Sequence, residues 1–135
     1  MSGTEFDLIF DGGSRGNPGA TYGSFRLRAA GQRPAAPRRL NFGHGTNNEA
    51  EYLALIAGLE KLHQELRQTG VDPAQVHLKV SGDSRLVINQ VKGQWKIRSP
   101  RLRQLHARAR GLLEPLGQVQ LRHHPRRVSL RALGH

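Results

Sequence analysis

The chain has 135 residues, no cysteine and a formal net charge of +11. That length suits one compact domain, residues 1–135, with a real hydrophobic core. Without cysteine there are no disulfides and no thiolate metal sites, which fits a reducing, cytoplasmic setting. No apolar run reaches membrane-spanning length, and MSGTEFDLIF lacks the basic start and apolar stretch of a secretory signal.

The charge is uneven. Residues 1–78 carry eight Lys/Arg and eight Asp/Glu, whereas residues 79–135 carry thirteen Lys/Arg against Asp83 and Glu114. A basic half of this kind suits a polyanion such as nucleic acid, although an Arg-rich genome composition gives the same bias.

In chain order, Phe6, Leu8 and Phe10 alternate through TEFDLIF and predict a strand over residues 4–10. DGGSRGNPG follows as a Gly-rich turn. It is either a plain hairpin or a segment whose bare backbone comes close to a ligand. Strands over about 22–29 and 38–42 complete an antiparallel meander. Thr46 and Asn47 offer capping oxygens to a helix over about 48–68, with Tyr52, Leu55, Leu59, Leu62 and Leu66 as its apolar stripe. Residues 76–80 read as a strand, a short helix runs from 83 or 84 to about 91, and KGQWKIR turns. Ser99-Pro100 opens a helix with Leu102, Leu105, Ala109, Leu112 and Leu116 inward. A last strand over 119–122 and a helical stub over 126–135 give the order βββ-α-β-α-α-β-(α), a mixed sheet with helices packed on it.

Three carboxylates stand at awkward points of this scheme. Asp11 and Asp83 follow apolar strands, and Glu51 borders the apolar side of a helix start. Carboxylates gathered at the ends of core elements repel one another and lose hydration unless a cation binds between them. A hard divalent ion such as Mg²⁺, with Mn²⁺ as a substitute, meets that need. Each residue also has an ordinary structural reading. Glu51 is a helix-start acid, and Asp83 is a helix N-cap. Glu49, two residues before Glu51, reads as a solvated first-turn acid.

DGGSRGNPG, GTNNEAEYLALIAGLE and GDSRLVINQVKGQWKIR together resemble the type 1 ribonuclease H family, in its compact bacterial and archaeal form. The resemblance runs from about Phe6 to Ala132. It implies an α/β ribonuclease H-like fold: a five-stranded mixed sheet, with a three-stranded antiparallel meander plus parallel strands, flanked by helices. It further implies divalent-metal hydrolysis of the RNA strand of RNA/DNA hybrids by a monomeric protein. Two Mg²⁺ ions are expected, with Asp11 bridging both and Glu51 and Asp83 completing the site of one. Gly12, Gly13, Ser14, Arg15, Asn17, Asn47 and Asn48 would read 2′-hydroxyls and the minor groove. Trp95 and Lys96 would lie along the DNA strand, with His44, Thr46 and Arg85 as phosphate contacts.

The end of the chain departs from the family. The usual Arg-x-x-Asn-x-x-Ala-Asp appears here as Arg126, Ser129, Ala132 and Leu133, so Ser129 replaces the Asn and Leu133 replaces the fourth carboxylate. The sequence ends at His135, before the family's final helix would be complete. Leucine cannot ligate, which predicts a weakened water-side metal and reduced turnover. The α-carboxylate of His135 is a candidate substitute ligand, and His123, His124 or His135 are candidates for proton transfer, although surface histidines are commoner. A hybrid-binding module with little or no catalysis is the alternative reading. A DNA nuclease is a third, disfavoured by the asparagines suited to 2′-hydroxyls.

Overall fold

The computed structural model describes residues 4–33 and 35–134. The elements are β1 (Glu5–Arg15), β2 (Gly19–Ala29), β3 (Arg38–Gly45), α1 (Asn47–Thr69), β4 (His77–Gly82), α2 (Arg85–Val91), α3 (Pro100–Leu113), β5 (Gln118–His123) and α4 (Arg126–Leu133), with a 3₁₀ turn at Pro73–Gln75. The sheet order is β3-β2-β1-β4-β5. β1–β2 and β2–β3 are antiparallel, while β1–β4 and β4–β5 are parallel. This is the five-stranded mixed sheet that the resemblance implies.

The two faces of the sheet differ because side chains alternate along a strand. Phe6, Leu8 and Phe10 of β1 join Phe25 and Leu27 of β2 and Leu78 and Val80 of β4 on one face. Tyr52, Leu55, Leu59, Leu62 and Leu66 of α1 and Leu102, Leu105, Ala109 and Leu113 of α3 close over them. Each fully buried leucine contributes about 1.5–3 kcal/mol relative to exposure. On α3, Leu113 faces inward while Leu112 is only partly buried, and Leu116 enters the core just past the helix end. The alternate β1 residues Asp7, Ile9 and Asp11 point to the opposite face, which α4 crosses.

α1 begins in a full capping box. The Thr46 side chain accepts from Glu49 N–H, and the Glu49 carboxylate accepts from Thr46 N–H at 3.2 Å. Glu49 also pairs with Arg101 of α3 at 3.3 Å. It is therefore a built part of the helix start rather than the solvated acid expected from its position.

The Gly-rich segment also differs from its sequence reading. β1 runs on through Asp11 and the glycines, paired with β2 as far as Arg15↔Ala20, so the turn proper is confined to residues 16–18. Glycine content suggested a long loop, but cross-strand pairing satisfies the backbone of most of this stretch. At Gly12 the missing side chain is required by packing. A Cβ there would lie 2.4 Å from the carbonyl carbon of Ala50, at the start of α1.

Candidate active site

Register explains how two of the carboxylates meet. Phe10 of β1 is the parallel partner of Gly82 of β4, so the next residue on each strand, Asp11 and Asp83, emerges at the same end of the sheet. α1 starts where β3 ends, and its first turns bring Glu51 down beside them. Ligand oxygens of Asp11, Glu51 and Asp83 all lie within 4.8 Å of one another. Asp83 is not the helix cap that its position suggested. Ser84 is the N-cap of α2 and accepts from Val87 N–H at 3.2 Å, leaving the Asp83 carboxylate to face the cluster.

Asp11 and Glu51 are 1% and 5% exposed, so water does little to screen them. Burial pushes the Glu51 carboxyl well above its ordinary range, and the adjacent Asp11 carboxyl pushes it further. The Gly12 N–H, donating to Glu51 Oε1 at 2.5 Å, opposes this, and Asp83 adds a smaller upward push. Such crowding is what a bound cation relieves. Three hard oxygen donors, on β1, on α1 and in the bend after β4, fit Mg²⁺ or Mn²⁺.

A protein cation already faces the cluster. Arg126, the first residue of α4, donates from Nη1 to Asp11 Oδ2 and to Asp83 Oδ2, each at 3.3 Å. Leu133 is 1% exposed, and among the described residues the carboxylate group has three members. His124 is buried rather than on the surface as expected, with Nε2 2.7 Å from Ser129 Oγ. Burial pushes its imidazole below the usual range; Asp83 partly offsets this, and His123 adds to it. Its other ring nitrogen, Nδ1, is buried without a hydrogen-bond partner. The expected roles of His135 lie outside the described residues.

The residues expected to bind substrate fall around the same end of the sheet. Asn17 Oδ1 accepts from Asn47 N–H at 3.1 Å, tying the β1–β2 turn to the start of α1. Asn17, Thr46, Asn47, Asn48 and Ser99 line a groove of about 420 Å³. The Ser14 hydroxyl donates to the carbonyls of Gly16 and Gly45, so it braces the turn. Gly13 packs against the Tyr22 hydroxyl. Arg15, His44, Arg85 and Lys96 are exposed, as is Trp95 at 48%.

Gln90 was not singled out by the sequence. Buried on α2, it accepts from Tyr52 Oη at 2.7 Å and donates to the Lys96 carbonyl at 3.2 Å. It therefore anchors the Trp95–Lys96 loop to α1. An amide inside a helix carries no motif of its own; the only available signal was its place in an otherwise apolar stretch.

A family model described as reverse transcriptase-like matches residues 20–132. The crystal structure of RNase H1 from Halobacterium salinarum aligns at TM-score 0.80 and 37% identity, covering 95% of this chain and 91% of that one. The chain belongs to the type 1 ribonuclease H family. Ribonuclease H1 relatives extend further. LC11-RNase H1, solved in complex with RNA/DNA hybrid, aligns at TM-score 0.82 and 30% identity over 94% of this chain and 90% of that one. A bifunctional protein of Mycobacterium tuberculosis is 38% identical over 117 residues, 86% of this chain. The chain spans 30% of that protein's length and 61% of the Ribonuclease HI of H. salinarum. Among the described residues no helix is long and apolar enough to cross a membrane.

Proposed function

We propose that this ribonuclease H-family chain hydrolyses the RNA strand of RNA/DNA hybrids endonucleolytically, using divalent metal held by Asp11, Glu51 and Asp83. The observation that carries the reading is the convergence of these three carboxylates within 4.8 Å at one end of the sheet. When bound, Mg²⁺ or Mn²⁺ would supply Lewis-acid polarisation of the scissile phosphodiester. The chain's own residues do the rest. Glu51 is fixed by the Gly12 N–H. The asparagine groove beside α1 offers amides and backbone groups to 2′-hydroxyls, which distinguish RNA from DNA. Trp95 and Lys96 present an aromatic face and a cation to the other strand. His124 Nε2 lies 2.7 Å from Ser129 Oγ, so its role here is to position α4.

Leu133 lowers the efficiency of this reaction by removing one oxygen ligand, and Arg126 lowers it further by competing with metal for Asp11 and Asp83. The protein acts as a monomer in the cytoplasm. Labelled RNA/DNA hybrid, double-stranded RNA and double-stranded DNA, each incubated with Mg²⁺ or Mn²⁺, test the reading. Wild type should cut the RNA of the hybrid alone, and Asp11→Asn should not. Tight hybrid binding with no cleavage under either metal would leave a binding module instead.

A further inference from the structure

The sheet face opposite α1 and α3 is only partly covered. α4 starts at Arg126, beside Asp11, and at its other end Gly134 lies against the Arg39 side chain. Arg39 is paired with Ser24, and Ser24 with Asp11, so α4 follows that one transverse row of the sheet. The rows beyond it stay open. Arg26, Ile9, Ser81 and Arg122 form the first, and Arg28, Asp7, Lys79 and Gln120 the second, by successive cross-strand partners. Together they line a depression of about 220 Å³.

Four of these eight residues are cationic and one is acidic. Asp7 is matched by Arg28 at 3.2 Å. Ion pairs of the described residues engage Arg28, Arg101, Arg108 and Arg126, which leaves Arg26, Lys79 and Arg122 uncompensated. Glu5 is the next acid, on the far row beside His77. With strands about 4.8 Å apart, Arg26 and Arg122 are separated by roughly 14 Å. That span takes in more than one phosphate, since a duplex strand carries one per about 3.4 Å of helix axis. Ile9 is the only apolar side chain pointing outward in these two rows. A protein partner would want an apolar centre, so the charge favours a phosphate backbone. The patch also adjoins the candidate active site, since Arg122 is paired with Ser81, two residues before Asp83.

We infer that this face is a second nucleic-acid contact, which holds a single-stranded extension of the hybrid bound in the cleft. The inference rests on the hybrid reading of the cleft for its strand, but the charged surface stands apart from the carboxylates. Lys79 and Arg122 are both exposed, so reversing their charge leaves the core intact.

The test uses the Asp11→Asn protein, to prevent cleavage, and fluorescence anisotropy against salt. One probe is a blunt RNA/DNA hybrid, and the other is the same hybrid with a single-stranded extension. The extension should tighten binding about tenfold and steepen the salt dependence by roughly two units, at about 0.7 per neutralised phosphate. Adding Lys79→Glu and Arg122→Glu should erase both gains. In the wild-type background the same pair should leave cleavage of the blunt hybrid unchanged. An extension that adds nothing while the blunt hybrid binds overturns the second contact and spares the cleft reading. Equal weakening of both probes also overturns it, by making these cations part of the main groove. Failure of both probes to bind sinks the hybrid reading itself.

Discussion

On the α1 side of the cleft, carboxylates are forced together by elements that cannot easily move. The β1–β4 pairing ends at Phe10 and Gly82, just before Asp11 and Asp83, and Gly12 lets α1 press against β1 until its own N–H holds Glu51. On the α4 side, Arg126 opens a helix of eight residues that also carries the buried Ser129 and Leu133, and His124, two residues before the helix, is buried against Ser129. One wall repels itself and calls for a cation; the other supplies a cation of its own and an apolar surface. The three carboxylates stay costly in the metal-free protein even though Arg126 pairs with Asp11 and Asp83 and the Gly12 N–H holds Glu51.

Substitutions at each wall break or sharpen this contrast. The largest effect belongs to Asp11, which touches both Arg126 and the other carboxylates. Asp11→Asn should reduce hybrid cleavage by on the order of 10³-fold or more, as loss of a central member of a catalytic set does, measured in single-turnover assays. Next comes Leu133→Asp, which would make the α4 wall resemble the α1 wall. A carboxylate at this buried position should cost about 3 kcal/mol in EDTA. Mn²⁺ should recover most of that loss in thermal melts and raise cleavage about tenfold. Melts that ignore Mn²⁺ would mean Leu133 does not border the metal cleft.

Arg126→Ala should tighten Mn²⁺ binding several-fold in calorimetry, because a competing cation has left Asp11 and Asp83. Unchanged affinity would assign Arg126 to substrate instead.

The smallest effect is thermodynamic. Burial, followed by the Asp11 carboxyl, raises the folded-state pKa of Glu51 above its unfolded value. Between those two values the folded protein holds a proton that the unfolded chain has lost, so stability falls as pH rises through that interval. In EDTA the wild type should lose stability as pH climbs from the ordinary glutamate value, about 4.3, through the raised one. Glu51→Gln keeps the acceptor for the Gly12 N–H and should melt a few degrees higher at pH 7, with a flatter pH profile. A lower melting temperature for Glu51→Gln would contradict the repulsion.

The α1 wall was legible in the sequence because its residues sit in runs with strong local signals. Alternation marked β1 and β4, helical spacing marked α1, and the carboxylates interrupted both. The α4 wall was legible only as a departure from a motif. That Arg126 would bridge Asp11 and Asp83, and that His124 would be buried against Ser129, depends on where α4 crosses the sheet. No local pattern encodes that crossing. The long reach of β1 through the glycines was hidden for a similar reason, since its pairing with β2 outweighs the turn propensity of the residues. Gln90 and the basic rows of the open face are likewise products of register between strands and helices distant in sequence.

The central claim is that the three carboxylates form a divalent-metal centre serving a hybrid substrate. A Mn²⁺ titration followed by electron paramagnetic resonance, with and without RNA/DNA hybrid, addresses it most directly. Wild type should take up Mn²⁺, more tightly with hybrid present, and Asp11→Asn should lose that uptake in both conditions. Equal uptake by the two proteins, or none by wild type with hybrid bound, would contradict the account.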